Sequence, residues 1–182
     1  MEEKTKAFLF KVARRGDRGV WRRIEIKGNQ TLADFDRIIR LEFNLDDFDH
    51  LSTFYSGKNW ARSGYGIITP EGTGEGADIK ISSLMLFNGT INYVYDFGTE
   101  THLYAKLEKI SDVEPNVYYP RTVSQNDPHY KFCEDCQAKG KKTIAVNECY
   151  TCGEEKERPV YICEKCSGSG KHEDHYLEEI LY

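Results

Sequence analysis

Alternating apolar and polar positions near the N-terminus predict a β-hairpin. In "AFLFKVARR", Phe8, Phe10 and Val12 share one face of an extended chain, and "VWRRIEIKG" follows after the turn signal "GDRG". Alternation with a period of two, interrupted by a glycine-containing turn, is typical of two antiparallel strands. We therefore expect the first two strands of a sheet here.

A helical period follows the hairpin in "TLADFDRIIRLEFN". Thr31 is placed to cap this helix, and Asp34 comes three residues later, which is the spacing of a capping box. Asn44 and the acidic "DDFD" should end the helix. The apolar residues recur every three or four positions and form one stripe, which consists of Leu32, Phe35, Ile39 and Phe43.

Three further segments alternate like strands. "HLSTFYSG" (50–57) predicts a third strand, and "TINYVYDFG" and "THLYAKLEK" predict a second hairpin that turns at Gly98. Residues 57–80 are rich in Gly, Ser, Thr and Pro and predict a loop. Its "GTGEG" lacks the Gly-Lys-Ser/Thr of a phosphate-binding loop, and "ISSLMLF" beyond it predicts a short helix or turn.

Periodicity lapses between Ser111 and Pro128, where three of the five prolines lie. Such a stretch is typical of a linker. We therefore predict a domain over residues 1–112, a linker over 113–128 and a small module over 129–182.

The small module contains all six cysteines of the chain, in three Cys-x2-Cys pairs, followed by a His-x2-His pair. Zinc takes four such ligands tetrahedrally, so four pairs predict two structural zinc ions rather than redox or disulfide chemistry. The module has few large apolar residues, and metal should supply much of its folding free energy. The predicted ligands are Cys133, Cys136, Cys149, Cys152, Cys163, Cys166, His172 and His175.

Two groupings of these pairs are open. In a sequential arrangement the third cysteine pair would share an ion with the histidines, across the short loop "SGSGK". In an interleaved, cross-brace arrangement the first and third cysteine pairs would share one ion, and the second pair would join the histidines. The longer loops of the interleaved arrangement favour it.

Composition and charge restrict the function classes. The net charge of −5 argues against nonspecific nucleic-acid binding by the whole surface, but residues 1–30 carry nine Lys and Arg against four acids. That run fits a solvated hairpin edge or a local nucleic-acid-binding face. No apolar run follows "MEEKTK", and no segment reaches the roughly 20 apolar residues of a membrane span. We expect no membrane partner and a cytoplasmic location with reduced cysteines.

Residues 6–110 resemble the plasmid pRiA4b Orf-3-like family, whose members are sometimes described as transposon passenger proteins. The resemblance rests on "VWRRIEI", "TLADFDRIIRLEF", "DHLSTFY" and "YVYDFGTETHLYAKLE" in the family's order. Many members have Gly-Asp and a Trp after the Phe, where this chain has Thr99, Glu100 and Thr101. The resemblance implies an α+β fold with a curved, mixed sheet around one main helix. It does not imply a particular activity. The tail resembles the cysteine-rich finger of some members and is similar to B-box and ZZ cross-brace modules.

Three function hypotheses follow. The first is a non-catalytic recognition protein whose two-zinc module binds a protein or peptide. The second is nucleic-acid binding through the basic first hairpin, in connection with mobile elements. The third is an enzyme in the N-terminal domain, for which no nucleophile–base motif is visible. Its candidate polar groups are His50, Asp96, Glu100 and His102. The sequence indicates no oligomeric state.

Overall fold

The structure, a computed structural model, describes residues 5–16, 19–45 and 49–182. It divides into a first unit that ends at Asn126 and a second unit, Asp127–Tyr182. Part of the predicted turn "GDRG" and part of the helix-ending "DDFD" lie outside the described residues. None of the helices in the described part of the chain has both the length and the apolar composition needed to cross a membrane.

The first unit is a six-stranded sheet with one main helix. Its strands are β1 (Lys6–Arg14), β2 (Trp21–Lys27), β3 (Ser52–Tyr55), β4 (Thr90–Tyr95), β5 (Thr101–Asp112) and β6 (Arg121–Gln125). Its helices are α1 (Leu32–Glu42), the short α2 (Trp60–Ser63) and a 3-10 turn, Ile81–Ser83.

The two predicted hairpins are confirmed and lie side by side. The sheet order is β3-β4-β5-β1-β2-β6, and Phe10 faces Leu107 where the first hairpin meets the second. All pairings among the described strands are antiparallel. The α+β class is confirmed, and the implied mixed sheet is corrected to an antiparallel one. A parallel pair needs a crossover connection, whereas here the hairpins themselves pair through β1 and β5.

Helix α1 packs its predicted stripe onto one face of this sheet. Its four stripe residues are fully buried, and the Phe35 ring lies 5.2 Å from Phe10 and 5.4 Å from Phe54. The capping box is confirmed, because the Thr31 hydroxyl accepts from the Asp34 amide and the Asp34 carboxylate accepts from the Thr31 amide. Local capping and stripe burial thus fix the helix at the predicted position.

The glycine-rich segment that precedes β4 is a loop, as predicted, apart from the short helix α2, and it packs closely on β3. Ile68 exchanges two backbone hydrogen bonds with Ser52, of 2.9 and 3.0 Å. Gly74 has a φ of +114°, and a Cβ there would lie 2.3 Å from the carbonyl oxygen of Ile67. Glycine is therefore required at that position by backbone packing, which explains the composition without a phosphate ligand.

The segment predicted as a linker, 113–128, differs in the structure. Residues 121–125 form β6, which pairs with β2 at the sheet edge, and the units divide after Asn126. Arg121 anchors this strand through a salt bridge with Glu25. The strand is mostly exposed and polar, so its sequence lacks the apolar alternation from which strands are recognised.

The second unit is built of very short elements. They are α3 (Glu134–Gln137), β7 (Asn147–Cys149), α4 (Tyr150–Lys156), β8 (Tyr161–Ile162), α5 (Glu164–Ser167) and β9 (Leu177–Glu179). The strands form a sheet of order β8-β7-β9. Its hydrophobic core combines Val160 and Ile162 with cysteines, so the ligand candidates themselves form most of the interior.

Candidate metal centres

Cluster 1 consists of the first and third cysteine pairs: Cys133, Cys136, Cys163 and Cys166. Each pair spans the start of a short helical turn, α3 or α5, which brings its two sulfurs to the same side. The Sγ of Cys136 lies 3.8 Å from the Sγ of Cys163 and 3.8 Å from that of Cys166. The backbone of two separate turns therefore directs four sulfurs to one point.

Cluster 2 consists of the second cysteine pair and the two histidines: Cys149, Cys152, His172 and His175. Cys149 ends the central strand β7, and Cys152 lies in α4. The histidines lie on a turn that is closed by a hydrogen bond of 3.1 Å from the His175 amide to the His172 carbonyl. Both imidazoles present Nδ1, and these two nitrogens are 3.3 Å apart.

The distances within both clusters fit tetrahedral coordination. Bonds of about 2.3 Å to sulfur and about 2.0–2.1 Å to nitrogen imply ligand–ligand edges of about 3.8 Å (S–S), about 3.5 Å (S–N) and about 3.3 Å (N–N). In cluster 1 the Cys136 sulfur lies 3.8 Å from the sulfurs of Cys163 and Cys166, and all four sulfurs lie within 4.8 Å of one another. In cluster 2 the S–N separations are 3.3–3.8 Å and the N–N separation is 3.3 Å. In each cluster the donor atoms are therefore spaced as they would be around a single tetrahedral metal ion.

The six thiols are free, and their separations exclude disulfides in this conformation. A disulfide needs about 2.05 Å between sulfurs, far less than 3.8 Å. Burial raises the pKa of Cys166 to about 12, whereas a hydrogen bond with Thr143 lowers the pKa of Cys136 to about 7. Buried thiolates this close together repel one another unless a cation lies between them.

The structure groups the eight predicted ligands as in the interleaved arrangement, and both clusters could hold a metal ion. The sequential arrangement would need the third cysteine pair beside the histidines, but it lies with the first pair. Occupation by zinc stays a prediction.

A carboxylate that the sequence reasoning missed links the two clusters. Asp135 lies inside the first cysteine pair, and its Oδ2 is 2.9 Å from Nε2 of His172 in cluster 2. No sequence signal joins two residues that are 37 positions apart. The acid between two cysteines was visible in the sequence, but its partner was not.

The polar residues singled out for an enzyme form two pairs beside the 96–102 turn. His50 Nδ1 lies 3.6 Å from Asp96, and His102 Nε2 lies 3.0 Å from Glu100. The other ring nitrogen of His102 contacts the hydroxyl of Tyr55 at 3.3 Å. Both nitrogens of His102 are thus engaged with neighbouring side chains, and this arrangement presents no free base beside a nucleophile.

This turn is itself held by local hydrogen bonds. Asp96 has a φ of +55° and accepts from the Thr99 hydroxyl at 2.5 Å and from the Gly98 amide at 3.0 Å. These hydrogen bonds hold the pKa of Asp96 below its ordinary value, and the bond from Thr99 has the largest effect. The Phe97 ring stacks on Trp60 at 4.5 Å. The Asp-Phe-Gly sequence therefore serves as a structural turn here.

A second missed feature is a charged pair inside the first unit. Asp36 accepts from Arg40 at 2.7 Å, from Ser52 at 2.5 Å and from Tyr93 at 2.7 Å. Asp36 and Arg40 are only 2% and 3% exposed. Three donors converge on one carboxylate in the core, and Arg40 also donates to the His50 carbonyl, so this network stabilises the fold.

Comparisons with known proteins agree with this architecture. A family model described as "Plasmid pRiA4b ORF-3-like protein" matches residues 7–143. The crystal structure of a protein of unknown function from Methanosarcina mazei Go1 is similar, with 26% identity and a TM-score of 0.54. The similarity covers 68% of this chain and 70% of that one. The comparison with curated proteins finds no match.

Proposed function

This chain belongs to the plasmid pRiA4b ORF-3-like family, and from that premise we propose a non-catalytic recognition protein. Its second unit binds two structural zinc ions and presents a surface to a basic peptide segment of a partner protein. The observation that carries the metal part is the pair of closed four-donor clusters, one of four cysteines and one of two cysteines and two histidines.

Zinc is the metal that these donors favour. Thiolate and imidazole in tetrahedral sets are typical of structural zinc, and a catalytic site keeps one position open for water. Both clusters supply four protein donors, which supports a structural role. A cytoplasmic location fits this proposal, because metal-binding thiols must stay reduced.

The peptide part of the proposal rests on the outer face of the small sheet, which we call the acidic–tyrosine face. Glu148 and Glu178 lie directly opposite each other on β7 and β9. Tyr150 and Tyr176 flank them, with ring centroids 5.5 Å apart and exposures of 40% and 68%. Tyr161 pairs with Glu148 on the other side. Two carboxylates thus lie among three tyrosine rings.

This face fits lysine or arginine side chains. Like charges directly opposite each other destabilise a sheet, and among the described residues neither carboxylate forms an ion pair with Lys or Arg. The Tyr150 hydroxyl bonds to Glu178, which raises the pKa of Tyr150 and keeps the phenol neutral. Tyrosine faces attract cations, and Lys131 already lies over the Tyr161 ring at 5.5 Å. A basic segment would therefore relieve the repulsion and stack on the rings.

Elemental analysis tests the metal part. Purified full-length protein should contain two zinc ions per chain, because two clusters each supply a full donor set. A content of one zinc or none, in protein whose thiols are shown to be reduced, would refute the assignment.

Fluorescence anisotropy with a labelled Lys/Arg-rich peptide tests the surface. The double change Glu148→Gln and Glu178→Gln should weaken binding about tenfold, because two charge contacts of about 0.5–1 kcal/mol each are lost. The matched control, Glu154→Gln with Glu155→Gln, removes the same charge from exposed positions of α4. Equal weakening by both double variants, or no binding by the parent protein, would contradict the proposal.

Nucleic-acid binding through the first hairpin stays the alternative prediction. Several of its cations have partners within the first unit: Lys6 pairs with Asp112, and Arg23 pairs with Glu108. Lys11 lies over the Trp21 ring at 4.7 Å. These contacts reduce the charge available to phosphates, and a gel shift with a steep salt dependence would favour this alternative.

A further inference from the structure

One hydrogen bond connects two metal clusters that otherwise have separate ligands. Asp135 is held between Cys133 and Cys136, so its backbone belongs to cluster 1. Its side chain reaches His172 of cluster 2, with Oδ2 2.9 Å from Nε2. Its other oxygen, Oδ1, lies 3.5 Å from Nζ of Lys171. Both carboxylate oxygens are thus directed at the segment that carries the histidines.

The position of His172 determines which atom donates in its hydrogen bond with Asp135. Its Nδ1 faces the sulfurs of Cys149 and Cys152 at 3.8 and 3.6 Å, so Nδ1 is the atom available to a metal. An imidazole that ligates through Nδ1 carries its proton on Nε2. Nε2 therefore donates to Asp135, which fixes the tautomer and the orientation of the ring.

The two histidines differ in this respect. His172 is 1% exposed and has the carboxylate acceptor, whereas no corresponding acceptor for His175 lies within the described part of the chain. His175 is oriented through His172, because its backbone N–H donates to the His172 carbonyl and its ring packs edge-on against the His172 ring at 5.2 Å. Correct placement of His172 consequently supports both nitrogen ligands.

We propose that Asp135 is a positioning residue through which occupation of cluster 1 strengthens metal binding at cluster 2. The inference rests on the proposed zinc binding. Metal at cluster 1 fixes the turn from Cys133 to Cys136, and that turn holds the acceptor for His172. Because coupling between two binding equilibria is reciprocal, metal at cluster 2 strengthens binding at cluster 1 by the same factor.

Loss of a carboxylate that hydrogen-bonds a metal-ligating histidine typically lowers metal affinity about 10–100-fold. We expect a loss of about that size in the metal affinity of cluster 2. The change Asp135→Asn removes the charge and preserves the shape. Asp135→Glu keeps the carboxylate and should restore part of the affinity. Glu164→Gln is the matched control, since Glu164 lies inside the other cysteine pair of cluster 1 and makes no bond to cluster 2.

The experiment uses full-length protein loaded with Co²⁺, whose visible absorption distinguishes a site of four thiolates from a site of two thiolates and two imidazoles. Competition with a chelator should remove both ions from the parent protein and from Glu164→Gln over one narrow range. In Asp135→Asn the signal of the mixed thiolate–imidazole site should disappear at about 10–100-fold lower chelator concentration, ahead of the signal of the four-thiolate site.

Three results would overturn the inference: unchanged affinities in Asp135→Asn, release of the four-thiolate site ahead of the mixed thiolate–imidazole site in that variant, or no recovery in Asp135→Glu. Failure of the proposed function is distinguishable from these results. In that case the parent protein itself would bind fewer than two metal ions.

Discussion

Removal of metal should unfold the second unit and leave the first intact. The hydrophobic core of the second unit contains seven residues, and five of them are cysteines from the two clusters. The remaining two are Val160 and Ile162. Without an ion at each cluster, the cysteines would be either thiolates that repel one another or neutral thiols, and in neither state would they form a rigid centre.

The magnitudes favour metal over apolar burial by a wide margin. Full burial of an aliphatic side chain contributes about 1.5–3 kcal/mol, so Val160 and Ile162 together contribute about 3–6 kcal/mol. A structural zinc site contributes about 10 kcal/mol or more, and there are two candidate sites. The first unit has fully buried aromatic residues, among them Phe10, Phe35, Phe54 and Tyr93, and none of its stability depends on thiols.

Hydrogen exchange with mass spectrometry on the full-length protein provides the assay. Three amides report on the small sheet: Val146 bonds to Ile162 at 2.9 Å, Cys149 to Val160 at 2.7 Å, and Ile180 to Val146 at 2.9 Å. After chelation these amides should lose protection, whereas peptides from β1 and β5 should exchange at their original rates. Addition of zinc should restore protection, which controls for damage by the chelator.

Two outcomes would refute this reasoning. If elemental analysis shows that metal has gone and the β7 peptides remain protected, apolar packing alone stabilises the second unit. If chelation also exposes β1 and β5, the two units do not unfold independently, and the division after Asn126 has no energetic meaning.

Three further predictions concern individual side chains. Replacement of His172 and His175 by Ala should expose the cluster 2 thiols to alkylation and leave those of cluster 1 protected; mass mapping that finds the reverse would contradict the grouping. Asp36→Asn should lower the free energy of unfolding by about 3–5 kcal/mol in urea titrations, because Arg40 loses its buried partner; a loss below about 1 kcal/mol would contradict this. The lowered pKa of Asp96 means that its contribution to stability is present above about pH 4 and is lost as the pH falls through that pKa. Asp96→Asn should therefore be less stable than the parent at neutral pH and converge with it as the pH falls below the lowered pKa of Asp96. A pH-independent difference in urea midpoints would contradict the assignment.

Much of the first unit could be predicted because its elements are long enough to show a period. Strands β1, β2 and β5 and helix α1 each contain at least seven residues, over which alternation or a helical stripe is visible. The capping box of Thr31 and Asp34 marked the start of the helix. These are local signals, and in this unit they agree with the global fold.

The buried pair of Asp36 and Arg40 could not be predicted in the same way. Charges four residues apart on a helix usually form a solvent-exposed pair, and the sequence "DRIIR" looks the same in either case. Burial of this pair depends on Ser52 and Tyr93, which approach the helix from strands β3 and β4. Strand β6 escaped prediction for a related reason, since only its partner β2 makes it a strand.

The grouping of the metal ligands follows from the topology of the small sheet, whose strands are too short to show a period. Strand β7 lies between β8 and β9, so the chain pairs with it on one side through Tyr161 and on the other through Leu177. Cys149 ends β7 opposite Leu177, and β9 begins just after the histidines, which places them beside the second cysteine pair. The third pair begins where β8 ends and therefore lies on the other side, with the first pair. Each cluster therefore combines two ligand pairs that are distant in sequence, and neither cluster is complete until the chain has folded. Spacing alone could favour this arrangement through loop length, but strand order determines it.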